Sequence, residues 1–436
     1  MKVLIIDIVE EGIDLAIRML WAGHDVKFFQ PPGRHTNVGK GLVCRVKDWR
    51  DHMNWADLIV PTGIGKYQDD LEVYHQKGYP IFGSNKAAAM WELDREEGMR
   101  IMKQFDIQVL PFTKFSDIDS AIAHVLASGD DARFVSKPCG DGDRSMTYVS
   151  KSPNDMIYML EKWKGAGKLK GPFILQEFAA GIEMAVGAWF GPAGFHGMWE
   201  ENFEHKKLMV GEKGPNTGEM GTAMKYLDES NLANDTLKKV EDALAALKFV
   251  GNVDLSVLIN KDGIWPMEWT MRMGWPAAMI QLSLHKSDPA QWMLDMLHGK
   301  NTLQVRGDTA IGVVVAIPDF PYSHLTQKEV DGVPIYGINQ DNIKNIHFAE
   351  VMAGTVPVVE NGIIKREEMF VSAGDNLLTV VGLGPTVCKA AERAYATIGE
   401  LEIPNSPIYR TDIGKRLEKN IPDLQKLGYA EGWIYE

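Results

Sequence analysis

Residues 1–111 alternate apolar strand-like runs with helically spaced segments. That alternation restricts this part of the chain to parallel βαβ units. The chain opens Met1-Lys2-Val3-Leu4-Ile5-Ile6-Asp7, and residues 3–8 read as a buried first strand. Helical spacing follows over residues 12–21, a second strand over Asp25–Phe29, a third over 57–61, and a helix over 69–77. Ile81-Phe82-Gly83 reads as a short strand, and Ser84 is placed to cap a helix from Lys86 onward. The first strand is not followed by Gly-x-Gly-x-x-Gly, which argues against a dinucleotide-binding dehydrogenase.

The texture then changes. Strands are predicted over 132–137, 147–149 and 172–178, with a helix over 154–163. Between the first two strands lies the glycine-bearing turn Pro138-Cys139-Gly140-Asp141-Gly142-Asp143-Arg144-Ser145. Farther on, residues 253–259, Asn260-Lys261-Asp262-Gly263 and residues 264–269 read as a β-hairpin with a glycine turn. The last part is β-rich, with strands over 311–316 and 376–382 and one helix over 386–399. A chain of 436 residues exceeds what one core organises. Four domains are expected: 1–111, 112–184, 185–308 and 309–436.

Composition excludes some classes. No apolar run is long enough to cross a bilayer, and the first strand reaches a charge too soon for a signal peptide. The net charge of −13 argues against nucleic-acid binding. Cys44, Cys139 and Cys388 are far apart and show neither metal-ligand nor disulfide spacing. A cytoplasmic protein with neither nucleic-acid nor membrane partners is expected.

Several segments could carry chemistry. Lys137 ends a strand just before the glycine turn, where its ammonium can reach a nucleotide phosphate and turn amides can cap the others; an ordinary surface hairpin looks the same. Gln176-Glu177-Phe178 ends a strand that could meet an adenine edge, and Glu183 could take the ribose hydroxyls; solvated acids at a strand end are the plain alternative. Glu268 needs a partner, either a magnesium ion or Arg272. Asp254 and Ser256 share one strand face and could point to the same metal. Lys213-Gly214-Pro215-Asn216-Thr217-Gly218-Glu219-Met220-Gly221 is a polar, turn-rich stretch. Upstream of it, Glu204-His205-Lys206-Lys207 adds two cations and an imidazole.

In this order, from about residue 80 to 416, these pieces resemble the phosphoribosylamine–glycine ligase family of the ATP-grasp superfamily. Residues 214–221 follow the family's Gly-Pro-Asn-Thr-Gly-Gly-Met-Gly, with Glu219 replacing one glycine. Glu204-His205-Lys206-Lys207 is similar to its Asp-His-Lys-Arg, and Glu268-Trp269-Thr270-Met271-Arg272 to its Glu-Phe-Asn-x-Arg. Ala391-Glu392-Arg393-Ala394-Tyr395 and Tyr409-Arg410-Thr411-Asp412-Ile413-Gly414 resemble its closing segment.

The resemblance implies a multidomain α/β ATP-grasp fold: an N-terminal parallel α/β domain, a lid, a catalytic domain and a β-rich C-terminal domain. It implies ATP with Mg²⁺ or Mn²⁺, an amino-acid-like carboxylate and an amine as small-molecule substrates, an acyl-phosphate route to an amide, and a monomer or homodimer. Arg95, Lys137, Gln176, Glu177, Phe178 and Glu183 would hold the nucleotide. Glu268, Thr270 and Asp254 would hold the metal, and Arg272, Asn216 and Lys206 would serve the reacting groups.

The chain also departs from the family. Arg95 stands where the family has its first phosphate lysine, Thr270 where it has a metal-site asparagine, and Trp275 where it has an acid. Ser256 sits where many ATP-grasp enzymes carry an acid. The family's sugar-phosphate loop reads Asp7-Ile8-Val9-Glu10-Glu11-Gly12 here, and its Gly-Pro-Glu reads Pro61-Thr62-Gly63-Ile64-Gly65-Lys66. Two adjacent acids repel a phosphate. The expectation is therefore a preserved ATP half and an amine substrate that differs from phosphoribosylamine or is held differently. A nucleotide-binding protein that has lost catalysis is the remaining alternative.

Overall fold

The structure is a computed structural model that describes residues 1–8, 11–33, 35–139, 146–404 and 406–436. Two compact units emerge. One comprises Met1–Ala88, Met184–Asp254 and Thr270–Glu436; the other comprises Ala89–Glu183 and Leu255–Trp269.

The N-terminal alternation of the first unit forms a four-stranded sheet in the order Cys44–Arg45, Asp25–Phe29, Lys2–Ile6, Leu58–Pro61. Every pair is parallel. Leu4, Ile6, Phe29, Trp49, Ile59 and Leu71 pack on it as one cluster. Two local expectations change. Ile81 makes a single bridge to Ile59 rather than a strand, and the cap of helix Lys86–Leu93 is Asn85, not Ser84. Asn85 Oδ1 accepts from Ala88 N at 3.0 Å, while the Ser84 hydroxyl is turned away to donate to the Met271 carbonyl.

The rest of this unit is built on an antiparallel sheet. Trp199–Glu204 pairs with Gly221–Leu227, Gly221–Leu227 with Thr309–Ala316, and Thr309–Ala316 with Asn376–Gly384. Strand pairing thus runs directly across residue 308. Helix Val387–Gly399 is capped by Thr386, whose side chain accepts from Lys389 N.

The second unit carries an antiparallel sheet in the order Phe112–Phe115, Phe173–Glu177, Phe134–Pro138, Tyr148–Val149. Helices Ile118–Ala127 and Pro153–Gly165 begin at Asp117 and Ser152, whose side chains accept from Ser120 N and Asp155 N. They bury Ile118, Val125, Met156, Leu160 and Trp163 with Phe134 and Phe173. The glycine turn at 140–145 lies outside the described residues, as does Glu10. Among the described residues, no helix is long and apolar enough to cross a membrane.

Candidate active site

In the second unit, the strand Phe134–Pro138 alternates its faces, so Lys137 leaves the sheet opposite the buried Ser136. Its Nζ donates to Gln176 Oε1 on the neighbouring strand at 2.9 Å and to the Met267 carbonyl at 3.3 Å. Arg95 opens helix Arg95–Gln104, which Asp94 caps through Glu96 N and Glu97 N. Arg95 Nε donates to the Pro138 carbonyl at 3.2 Å, and Nη1 lies 3.5 Å from Glu268 Oε2. Arg95, Lys137 and Glu268 border a narrow cleft whose apolar wall includes Met99, Met102 and Ile174. Lys137, Arg95, Gln176 and Glu268, distant in sequence, are thereby brought together, and Glu268 finds a partner in Arg95.

Glu177 and Phe178 lie at the end of the same sheet. Their backbone N–H groups are used within it, donating to the Pro111 and Arg133 carbonyls at 2.9 Å each. The Arg133 guanidinium stacks 3.6 Å above the Phe178 ring. Glu183 stands partly buried near the start of strand Ile182–Gly191. Glu268 and Thr270, two residues apart on strand Gly263–Thr270, share a face and offer the hard oxygen donors that suit Mg²⁺.

In the first unit, the turn expected at 214–218 begins as a strand: Lys213–Asn216 pairs with Lys207–Met209, setting Asn216 opposite Lys207. Gly211 at φ +72°, in the turn between the two strands, adopts the left-handed backbone that lets this short hairpin turn. Thr217 ties the loop back, donating from N and Oγ1 to the Lys206 carbonyl at 2.8 and 2.9 Å. Lys206 Nζ pairs with Glu204 at 3.0 Å. His205 is fully buried; burial, with Arg416 and Arg410 near it, pulls its imidazole down to about 3. It is therefore a neutral structural group. Arg272 Nη1 donates to the Met273 carbonyl at 3.1 Å.

Around these lies a set of acids. Glu200, Asn202 and Glu204 occupy alternate positions of strand Trp199–Glu204. Asn202 Nδ2 donates to Glu200 Oε1 at 2.9 Å and to Asp254 Oδ2 at 3.1 Å. Burial raises Glu200 to about 7. Burial also lifts Asp254, with Glu200 and Glu204 adding to it. Burial and Glu204 hold Glu219 well above the carboxylate range against the pull of Lys206. Glu11 is pushed up to about 8 by burial, Glu350 and Asp7, with Arg272 opposing. Sequence reasoning missed Glu200, Asn202 and Gln281. The available signal was the polar residue at every second position of a buried strand.

No family model matches the chain. The phosphoribosylamine–glycine ligase of Lactococcus lactis is 26% identical over 357 residues, covering 79% of this chain and 80% of that protein. The chain is a divergent relative of the phosphoribosylamine–glycine ligases. Their fold is shared: the phosphoribosylamine–glycine ligase of Thermotoga maritima superposes with a TM-score of 0.70 at 20% identity, over 95% of this chain and 100% of that one. The biotin carboxylase domain of the 2-oxoglutarate carboxylase of Hydrogenobacter thermophilus, solved with ADP, its magnesium salt and bicarbonate, gives 0.61 at 12% identity over 93% and 91%. Of the positions that depart from the ligase motifs, Glu219 and the loop bearing Glu11 belong to the acid set of the first unit.

Proposed function

We propose that this chain is an ATP-dependent carboxylate–amine ligase that forms an amide through an acyl phosphate, with glycine as its carboxylate. The observation that carries this reading is the convergence of Lys137, Arg95 and Glu268 on one cleft of the second unit, with Gln176 holding the Lys137 ammonium. Two cations held beside an apolar wall suit a nucleotide's phosphates and base. Glu177, Phe178 and Glu183 belong to the same unit and are assigned to the nucleoside. Glu268 and Thr270 are assigned to Mg²⁺ or Mn²⁺, which when bound neutralises phosphate charge. Asp254, the third residue assigned to the metal, accepts from Asn202, which also donates to Glu200.

Chemistry of this kind needs positioning and charge neutralisation more than a protein nucleophile. A carboxylate oxygen of the first substrate attacks the γ-phosphorus of ATP, the bond to the β–γ bridging oxygen breaks, and ADP leaves. The amine nitrogen then attacks the acyl carbon, the carbon–oxygen bond to phosphate breaks, and inorganic phosphate leaves. Lys206, Asn216 and Arg272 are assigned to orienting the carboxylate and its phosphorylated form. Both substrates are small molecules, the compartment is the cytoplasm, and the enzyme acts as a monomer or homodimer.

A coupled ADP-release assay with glycine and a panel of amines tests the reading. ADP release that requires both a carboxylate and an amine is expected. ATP binding with no ADP release across the panel would mean that catalysis is lost. Saturable turnover with phosphoribosylamine at low concentration would show that the altered loops still serve the family's amine.

A further inference from the structure

Three segments far apart in sequence bring an imidazole and two carboxylates together in the first unit. His35 lies on the connection that follows strand Asp25–Phe29, Glu350 between strands Ile346–Phe348 and Val351–Glu360, and Asp375 just before strand Asn376–Gly384. They are 3%, 8% and 2% exposed. One donor atom from each, a ring nitrogen and two carboxylate oxygens, falls within 4.8 Å of the other two. The backbone builds this convergence. A β-carbon on Gly374 would lie 2.1 Å from Glu350 Oε2 and 2.6 Å from His35 Nδ1, so only glycine lets the segment that carries Asp375 approach the pair so closely. Asn376 N donates to Glu350 Oε2 at 2.8 Å, and Gln30 Nε2 donates to the His35 carbonyl at 2.7 Å. Both side chains are thereby held in place from behind.

The group is not satisfied by its own hydrogen bonds. His35 Nδ1 and Glu350 Oε1 lie 2.6 Å apart, with one proton to share. Asp375 Oδ2, beside them, is buried and accepts no hydrogen bond. A buried carboxylate oxygen with neither donor nor cation is costly. Burial pushes Glu350 up against the pull of His35 and the Asn376 amide, and Asp375 adds to the rise. A divalent ion resolves the conflict. It takes the lone pair of a ring nitrogen and one oxygen from each acid, and it keeps both carboxylates ionised although they are buried. The ion sits between its donors and needs no pocket beyond them. Two donors on one ion are at most about 4.2 Å apart, so a small side-chain adjustment closes the group.

We propose that His35, Glu350 and Asp375 bind one divalent transition-metal ion, a structural site separate from Glu268 and Thr270 of the second unit. The site is independent of the ligase reading. An imidazole ligand favours zinc, manganese or iron over magnesium, which prefers oxygen donors and keeps its waters. The ion ties the connection at residue 35 to the two strand ends that carry Glu350 and Asp375. It reinforces a docking already made by backbone bonds, from Gly39 N to the Val351 carbonyl at 2.8 Å and from Ala353 N to the Lys40 carbonyl at 2.9 Å. It also steadies Asn376, whose Nδ2 donates to Glu11 Oε1 at 3.3 Å.

Zinc is the probe, because it binds such donors more tightly than manganese or iron. The full chain is stripped with a chelator, titrated with zinc chloride, and assayed for bound metal by mass spectrometry and for melting temperature. One zinc per chain and a melting temperature a few degrees higher are expected. Zinc affinity should fall by about a hundredfold or more in His35→Gln and in Asp375→Asn, while Glu268→Gln keeps it. Excess magnesium chloride should not displace the ion. If neither ligand variant folds, X-ray absorption at the zinc edge of the parent chain decides: a shell of nitrogen and oxygen with one imidazole supports the site. No retained zinc, equal affinity in the folded ligand variants, loss of the ion in Glu268→Gln, displacement by magnesium, or a shell containing cysteine sulfur would each overturn it.

Discussion

Replacing Lys137 by alanine is expected to lower kcat/KM for ADP release by about a hundredfold or more. The side chain is held by Gln176 Oε1 and the Met267 carbonyl, so its charge is placed before the nucleotide arrives. A fixed donor beside an apolar wall is worth more than the same donor in water. Lys137→Arg keeps the charge but replaces a compact ammonium by a planar fork, and should recover little of the loss. The steady-state rate of ADP release, with melting temperature as a fold control, decides it. A Lys137→Ala enzyme within a few-fold of the parent would remove Lys137 from the nucleotide site.

The second large effect is on stability. Arg410, its side chain 1% exposed, holds Asp412 through two bonds of 2.8 and 2.9 Å, Glu212 at 2.6 Å and the Lys207 carbonyl at 3.0 Å. Asp412 in turn accepts from Gly211 N at 2.9 Å. The closing segment thus clamps the hairpin that carries Asn216 and follows Lys206. Arg410→Met keeps the volume of the stem and removes every one of these donors. It leaves Asp412 without its cation, so a loss of about 3–5 kcal/mol is expected, with reduced turnover as the hairpin loosens. Urea unfolding measures the first and the ADP assay the second. A loss under about 1 kcal/mol, the value of an exposed pair, would show that the clamp contributes little.

Much of this was legible in the sequence because local rules and the fold agree. The first strands fell where apolar runs lay between turn residues, and the helices at 153 and 387 start at Ser152 and Thr386, residues whose side chains satisfy free backbone donors. Lys137 and Glu268 were visible as polar residues at strand ends. Other features depended on contacts that spacing does not reveal. Ser84 resembled a cap but was drawn to the Met271 carbonyl, leaving Asn85 to do the capping. The stretch at 213–216 looked like a turn because it contains glycine and proline, yet it pairs as a strand once Arg410 anchors its neighbour. The hairpin of Val351–Glu360 with Ile363–Ser372 went unread, although Asn361 and Gly362, both at positive φ, are the usual residues of such a turn. The pairing of Glu200 with Asp254 joins residues of two strands separated by a third, and no single segment announces it.

The central claim is that a carboxylate is activated by direct phosphorylation. Turnover of glycine bearing heavy oxygen in its carboxylate, with ATP, magnesium and hydroxylamine as a general nucleophile, tests this most directly. Mass spectrometry of the products should find ADP, glycine hydroxamate, and inorganic phosphate carrying one heavy oxygen derived from the carboxylate. Unlabelled phosphate, or AMP with pyrophosphate in place of ADP, would contradict it.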